Sequence, residues 1–210
     1  MARARSKRTE PLSRAAIVDA AREMLATTDL DDLSLRRLAA VLGVTAPALY
    51  AHMEDKRDLL AAVAEQGFAE LVSAFEQVEA EDPIERLFAY GRAYVDKAVD
   101  DPEVFRVMFV FRPGTVPMPE VDNELPAATA AFERPMVAVM DAMQVEEIHP
   151  DRDPLLTALT LWTTTHGLAT VLLLGSGGGR VRLPDNAEEL ISDVLWTTLE
   201  GLRLPVRAQR

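Results

Sequence analysis

The chain has 210 residues, of which 49% are hydrophobic and 27% are charged, and it contains no cysteine. This composition fits a globular protein with one large or two modest domains, and it excludes disulfide bonds and thiolate metal sites. No apolar run reaches the roughly 18 residues that a membrane span needs, and the basic N-terminus lacks the apolar segment of a signal peptide. We therefore expect a cytoplasmic protein.

The net charge of −12 is unevenly distributed. Residues 1–60 hold ten Lys or Arg and nine Asp or Glu, a net of +1, whereas residues 61–210 hold twelve and twenty-five, a net of −13. An acidic protein of this kind can still present a phosphate-attracting face near its N-terminus. We expect residues 1–11 to be a disordered basic tail, either a solubilising segment or an arm on DNA phosphates.

The first predicted helix begins at the N-cap Ser13, and its buried stripe starts at Ile17 and continues at helical spacing to Leu25. Leu12 and Ile17 occupy the two positions that fix the entry of the chain into a helix. A polar connector follows over residues 27–32.

Residues 34–53 predict a helix-turn-helix. Ser34 is a good N-cap, and Gly43 ends the first helix, where the chain needs a left-handed conformation. Thr45 caps a second, short helix with Pro47 in its first turn, and Leu49 points back at the first helix. The residues left on the open side are Thr45, Ala46, Ala48, Tyr50 and His52. An ordinary helical hairpin inside a larger domain is the alternative.

The rest of the chain is predicted to be helical, so the fold class is all-α with about nine helices. A loop is expected over Arg112–Asn123, a bend at Pro135, and a glycine loop over residues 175–179. The predicted helices after the motif lie at about 55–78, from 83, from 102, at 125–145, at 153–174 and at 185–204.

Residues 13–75 resemble the DNA-binding domain of the tetracycline-repressor (TetR) family of bacterial transcriptional regulators. Met53 departs from the family, which often has an aromatic residue there, but it remains apolar. The segments that carry the resemblance are Ile17-Val18-Asp19-Ala20-Ala21, Ser34-Leu35-Arg36-Arg37-Leu38-Ala39, Leu42-Gly43-Val44-Thr45, Leu49-Tyr50 with His52, and Lys56-Arg57-Asp58-Leu59-Leu60.

The resemblance implies roles for particular residues on DNA. Thr45, Tyr50 and His52 would contact phosphates or base edges from the recognition helix. Lys56 would hold a phosphate, and Ser34 would present the amides of its helix to another. The alternatives are that Tyr50 belongs to the core, that His52 is only solvated, and that Lys56 has no partner.

Few strong hydrogen-bonding side chains face the groove. Ala46, Pro47 and Ala48 can offer bases only apolar contact, for example with a thymine methyl group. We therefore infer that part of the sequence specificity comes from Arg36 or from DNA shape.

We expect a tail at 1–11, a DNA-binding domain at 12–60, a linking helix at 55–79, and a ligand-binding and dimerisation domain at 80–204. The helices at 153–174 and 185–204 of two subunits would form a four-helix interface. Symmetric half-sites need two recognition helices about one DNA turn apart, which favours such a homodimer. The alternative is that both helices bury their apolar faces within one subunit.

A set of aromatic and methionine residues predicts an apolar, adaptable ligand pocket in the C-terminal part. Trp162 with His166-Gly167 resembles a signature of one TetR subgroup, which implies a small-molecule effector without naming it. The alternative is that these residues are ordinary core, with His166 a hydrogen-bonded core histidine. The set comprises Tyr94, Phe105, Met108, Phe109, Phe111, Met136, Met140, Met143, Trp162 and His166.

No catalytic motif stands out. The glycine run at 175–179 lacks the Lys-Ser/Thr ending of a phosphate loop, and the three histidines lack metal-ligand spacing. We expect no cofactor, no metal and no enzymatic activity. The hypothesis is a nucleoid-associated homodimeric repressor that binds double-stranded DNA and is released from its operator by a small apolar or amphipathic ligand. The alternative is a helical small-molecule-binding enzyme, or an adaptor without DNA binding.

Overall fold

The computed structural model describes residues 11–110, 125–175 and 181–203, and in these ranges the chain forms nine α-helices, a 3₁₀ turn and no strand. The predicted all-α fold is confirmed. Residues 1–10 of the basic tail, Phe111, the loop at Arg112–Asn123, most of the glycine loop and Leu204 lie outside the described residues. The helices are α1 (Arg14–Leu25), α2 (Leu35–Leu42), α3 (Ala46–Tyr50), α4 (Lys56–Glu76), α5 (Pro83–Asp100), α6 (Pro102–Val110), α7 (Pro126–Gln144), α8 (Pro154–Gly175) and α9 (Ala187–Arg203).

Short polar side chains start the helices at the predicted positions. Ser34 and Thr45 each accept a hydrogen bond from the backbone N–H three residues further on, at 3.3 and 3.4 Å. The carboxylates of Asp55 and Asp82 do the same at 2.8 and 2.9 Å. Each bond satisfies an N–H that has no partner within its own helix, so these residues fix where the helices begin.

The N-terminal helices enclose a small core, which we call the head. Ile17 of α1, Leu38 of α2, Leu49 of α3 and Leu59 of α4 are fully buried in it. Burial of one such side chain stabilises the fold by about 2 kcal/mol. The same apolar cluster continues along α4 through Val63 and beyond, so the head and the C-terminal part share one core.

The C-terminal part is organised around α5, which contributes to all three apolar clusters. Tyr94 belongs to the cluster shared with the head, Leu87 to a second one with α7, α8 and α9, and Val95 to a third with α8 and α9. α6 packs across α4 at Gly67, where a β-carbon would lie 2.8 Å from side-chain atoms of Val104 and Met108. A larger residue at 67 would push the two helices apart.

The two faces of α8 have different environments. Ala169 on α8 and Ile191, Leu195 and Leu202 on α9 are buried within the protomer, so the alternative of burial inside one subunit is right for these residues. The opposite face of α8 is exposed, and we call it the outer stripe. It consists of Leu156, Thr160, Thr163, Gly167, Thr170 and Leu174.

In the described part of the chain, α8 is the one helix that is long and apolar enough to cross a membrane, judged by length and composition alone. Only 28% of the apolar 18-residue stretch of α8 is buried. The helix therefore leaves much of its surface available for contact with another molecule.

Gly43 supports a first prediction, because it adopts φ +68° between α2 and α3 and a β-carbon there would meet no atom within 4 Å. Gly43→Ala should lower the free energy of unfolding by about 1 kcal/mol through backbone strain alone. Gly201→Ala is the matched control, because Gly201 is an exposed residue in α9 with equal space around it. It should raise the stability by about 0.5 kcal/mol.

Urea unfolding followed by circular dichroism measures both variants. Equal effects of the two substitutions would contradict a special backbone requirement at the helix-turn-helix.

Candidate nucleic-acid interface and ligand cavity

The short helix α3 is anchored by one buried side chain, and its opposite side is exposed. Leu49 is fully buried against α2, whereas 52% of Tyr50 is exposed, so Tyr50 is not a core residue. The other exposed residues between Thr45 and His52 are Thr45, Pro47, Ala48, Ala51 and His52, and Ala46 is half-buried. On α2, Arg36 is exposed as well. The exposed side of the segment thus consists mostly of small side chains, which sterically permits entry into a DNA groove.

Lys56 has a partner inside the head. Its Nζ donates a hydrogen bond to the Leu30 carbonyl at 2.7 Å, and the Asp31 carbonyl lies 3.5 Å away. Both carbonyls belong to the 3₁₀ turn Leu30–Asp32, so the ammonium ties this turn to the start of α4. An ammonium has three N–H donors, which leaves one for a phosphate.

Arg14 of α1 links the chain just after α3 to the first turn of α4. Its guanidinium donates to the His52 carbonyl and to Asp58 Oδ2, each at 3.0 Å. The hydrogen bond from Arg14 lowers the pKa of Asp58, against a smaller opposing effect of burial. The side chain of Asp58 also accepts the Glu54 N–H at 2.9 Å, so one carboxylate joins α1, the turn after α3 and α4.

An ionic cluster joins the head to the C-terminal part. Arg22 of α1 donates to Glu70 of α4 at 3.0 Å and to Asp101, at the start of α6, at 2.7 Å. Lys97 of α5 also contacts Glu70. The four residues are far apart in the sequence except for Lys97 and Asp101, so no local pattern predicts the cluster.

The charge state of Glu70 is set by two opposing effects. Burial tends to raise its pKa, but the hydrogen bonds from Arg22 and Lys97 outweigh burial, so the pKa of Glu70 lies below its ordinary value. The carboxylate is therefore ionised at neutral pH, as the cluster requires.

The C-terminal part contains a cavity of about 320 Å³ between α4, α5, α6, α7, α8 and α9. The volume lies at the lower end of the range for small-molecule sites. The lining residues are Phe68, Leu71, Phe75, Leu87, Tyr90, Gly91, Tyr94, Phe109, Ala128, Ala131, Phe132, Pro135, Ala158, Leu159, Leu161, Trp162, Thr164, Thr165, Leu195, Thr198 and Leu199.

Three of the ten residues expected to bind ligand line this cavity, namely Tyr94, Phe109 and Trp162. His166 lies directly behind them, with its Nδ1 2.8 Å from the Tyr94 hydroxyl and its ring 4.7 Å from that of Phe109. Phe105 also stacks on the imidazole, with ring centroids 5.7 Å apart. These five side chains form one aromatic cluster, of which Tyr94, Phe109 and Trp162 line the cavity.

The methionines of that set lie elsewhere. Met108 packs on Gly67, and Met136 and Met143 pack in the second apolar cluster. Met140 is on the surface with 45% of its area exposed. Phe111 is outside the described residues. None of the four methionines is among the residues that line the cavity.

The contribution of α4 to the cavity is not apparent from the sequence. The helical spacing of Phe68, Leu71 and Phe75 predicts an ordinary buried stripe. In the structure the same stripe forms a wall of the cavity, with the Phe68 ring 5.5 Å from that of Phe109. A stripe that faces a void and a stripe that faces a filled core have the same pattern in the sequence.

The hydrogen-bonded pair of Tyr94 and His166 at the cavity carries no charge. Burial raises the pKa of Tyr94, and the Trp162 indole N–H opposes this as a weaker hydrogen-bond donor. Burial lowers the pKa of His166. Both groups are therefore uncharged at neutral pH, and a hydrogen bond of 2.8 Å joins the Tyr94 hydroxyl to His166 Nδ1, with its direction set by the imidazole tautomer.

Two protein-family models match the chain. "Bacterial regulatory proteins, tetR family" matches residues 17–63, and "Tetracyclin repressor-like, C-terminal domain" matches residues 87–197. The first match contains the helix-turn-helix, and the second contains most of the cavity wall.

Individual proteins agree with these models. An uncharacterised HTH-type transcriptional regulator of Mycobacterium tuberculosis is 26% identical over 174 residues, which are 80% of this chain and 73% of the relative. The class D tetracycline repressor protein of Escherichia coli is 47% identical over 53 residues, which are only 25% of this chain and 24% of that repressor. A solved structure of a protein with unknown function from Rhodococcus sp. RHA1 has a TM-score of 0.77 and 29% identity, covering 95% of this chain and all of that one.

The ionic cluster supports a prediction about pH. A carboxylate whose pKa is lowered by folding contributes stability above its ordinary pKa of 4.5, and this contribution is lost as the pH falls through the lower folded-state value. The wild type should therefore melt at a higher temperature than Glu70→Gln at about pH 6, and the difference should narrow at about pH 3.5.

Glu200→Gln is the control for this measurement, because Glu200 is an exposed partner of Arg203 on the surface. It should change the melting temperature little at either pH. A difference between wild type and Glu70→Gln that stays constant over the acid range would argue against a structural role for the charge.

Proposed function

Because the chain belongs to the TetR family of transcriptional regulators, we propose that it is a homodimeric repressor that a small ligand in the cavity releases from its operator. The proposal places the protein in the cytoplasm, associated with the nucleoid. The DNA-binding domain would comprise residues 12–60, the linking helix residues 55–79, and the ligand-binding and dimerisation domain residues 80–204.

One observation carries the proposal, namely that α4 takes part in both sites. Phe68 and Phe75 of α4 line the cavity, so a bound ligand would touch this helix directly. The first turn of the same helix carries Asp58, which is bonded to Arg14, and Lys56, which is bonded to the 3₁₀ turn. A shift of α4 would therefore move the head together with its recognition helix.

A ligand can produce such a shift only through unequal affinity for two arrangements of the helices. The cavity supplies a basis for this, because its walls come from α4 on one side and from α5 to α9 on the others. A ligand that fits the arrangement in which the two recognition helices are wrongly spaced for DNA would lower operator affinity by mass action.

In the proposed dimer, the outer stripe of α8 packs against its counterpart, with α9 at its side. Leu156 and Leu174, at the ends of the stripe, are 65% and 51% exposed. Between them lie threonines and Gly167, which allow two helices to approach closely. Such a two-fold arrangement would direct the two α3 helices to the same face of a DNA duplex.

On the DNA, Thr45, Tyr50 and His52 would contact the backbone or base edges from α3, and Ser34 would hold a phosphate at the start of α2. Of the two exposed arginines of α2, Arg37 is paired with Asp32, so Arg36 is better suited to a bidentate contact with guanine. Ala46, Pro47 and Ala48 would add apolar contacts.

A DNA-binding assay tests these roles, with the DNA upstream of the protein's own gene as the probe. Arg36→Ala should cost about 1–3 kcal/mol of binding free energy and relax specificity at one base position. Lys56→Ala should weaken binding to all sequences, and the slope of the logarithm of the binding constant against the logarithm of the salt concentration should decrease in magnitude by about one. Tyr50→Ala should also weaken binding. The gel shift is measured at several salt concentrations, with melting curves as a check of folding.

Val99→Ala is the control, because Val99 is exposed on α5. It should bind DNA as the wild type does. Full binding by both Tyr50→Ala and Lys56→Ala would discard the residue assignments.

The dimer gives a separate prediction. Thr163→Arg places two charged side chains where the outer stripes meet, so it should produce monomers at micromolar concentration and weaken DNA binding. Gln144→Arg, on the exposed end of α7, should remain dimeric. Light scattering after gel filtration measures the mass, and a dimeric Thr163→Arg protein would exclude this interface.

A further inference from the structure

The walls of the cavity carry no charge in the part of the chain that the structure describes. Its lining residues include neither Lys nor Arg to hold an anion, and neither Asp nor Glu to hold a cation. A charged group brought into such surroundings would lose its hydration without gaining a partner of opposite charge, which is strongly unfavourable. The walls therefore select against charge of either sign.

The threonine hydroxyls of the lining already use their protons. Thr164, Thr165 and Thr198 donate to the carbonyls four residues earlier on their helices, at 2.9, 2.9 and 2.7 Å. Their oxygens can still accept a hydrogen bond, since a hydroxyl oxygen has two lone pairs. These positions suit a ligand group that donates, such as a hydroxyl or an amide N–H, and they offer nothing to a carboxylate.

Among the aromatic residues, the Tyr94 hydroxyl is engaged in a hydrogen bond with His166 Nδ1 at 2.8 Å. Tyr90 adds a second phenol hydroxyl to the lining, and Trp162 adds an indole N–H. These groups can form hydrogen bonds, but none of them is a Lys or Arg that would pair with a carboxylate. Around these few polar points the lining is aromatic and aliphatic.

We propose that the effector is an uncharged, mainly apolar molecule with a hydrogen-bond donor such as a hydroxyl group, and that the cavity discriminates against anionic and cationic molecules of the same size. The proposal rests on the proposed function, which makes the cavity the effector site. It adds the chemical class of the ligand, which the assignment of an effector site does not determine.

Displacement of a fluorescent probe from the full-length protein tests the proposal. The probe is N-phenyl-1-naphthylamine, and the competitors are 1-dodecanol, dodecanoate and dodecyltrimethylammonium, which share one chain length and differ in charge. Dodecanol should displace the probe at a concentration at least about tenfold lower than either ion. Equal or better displacement by dodecanoate or by the ammonium would overturn the proposal.

Two pairs of variants locate the effect. Thr164→Lys places an ammonium in the wall and should improve displacement by dodecanoate about tenfold relative to dodecanol, whereas Gln144→Lys, on the exposed end of α7, should leave the ratio unchanged. Ala131→Trp fills the cavity and should weaken probe binding, whereas Gln144→Trp should not. Probe binding unaffected by Ala131→Trp would show that the cavity is not the site and would overturn the proposal.

A parallel gel shift separates this proposal from the proposed function. If dodecanol is preferred in the cavity but does not change DNA binding, the ligand class stands and the proposed release mechanism fails. If dodecanoate is preferred and releases the DNA, the release mechanism stands and the ligand class is wrong.

Discussion

The packing of α4 against its neighbours holds the head and the cavity in a fixed relation. Leu59 near its start belongs to the core of the head, and Phe75 near its end lines the cavity. Between them, Gly67 lets α6 approach so closely that not even a methyl group would fit. A helix of 21 residues is about 30 Å long, so α4 extends from one site to the other as a single element.

Two kinds of contact hold α4 in place, and they respond differently to a displacement. The apolar contacts at Gly67 are close-packed, and such interfaces change between discrete arrangements more easily than they deform gradually. The ionic contacts of Glu70 with Arg22 and Lys97 connect α4 to α1 and α5. Asp101, at the start of α6, forms an ion pair with Arg22 of α1 in the same cluster. A movement of α6 would therefore be transmitted to the head by this ion pair as well as by packing contacts.

The helices were predictable from the sequence because their signals are local. Caps such as Ser34 and Asp82 lie next to the helices they begin, and the resemblance to the TetR family is confirmed by models that match both parts of the chain. The cavity was predictable only in part, because a void depends on how distant helices meet. Tyr94, Phe109 and Trp162 line it, whereas Met140 is on the surface, and the sequence alone does not distinguish these environments.

The hydrogen bond from Lys56 to the Leu30 carbonyl has a consequence for affinity. A lysine that is free in solution loses up to about 2 kcal/mol of rotamer entropy when it is immobilised, and here much of that loss occurs during folding. Under its proposed role the ammonium is preorganised for a phosphate, which favours tight association. The length of the connector between α1 and α2 is then itself a determinant of operator affinity, although none of its side chains needs to touch the duplex.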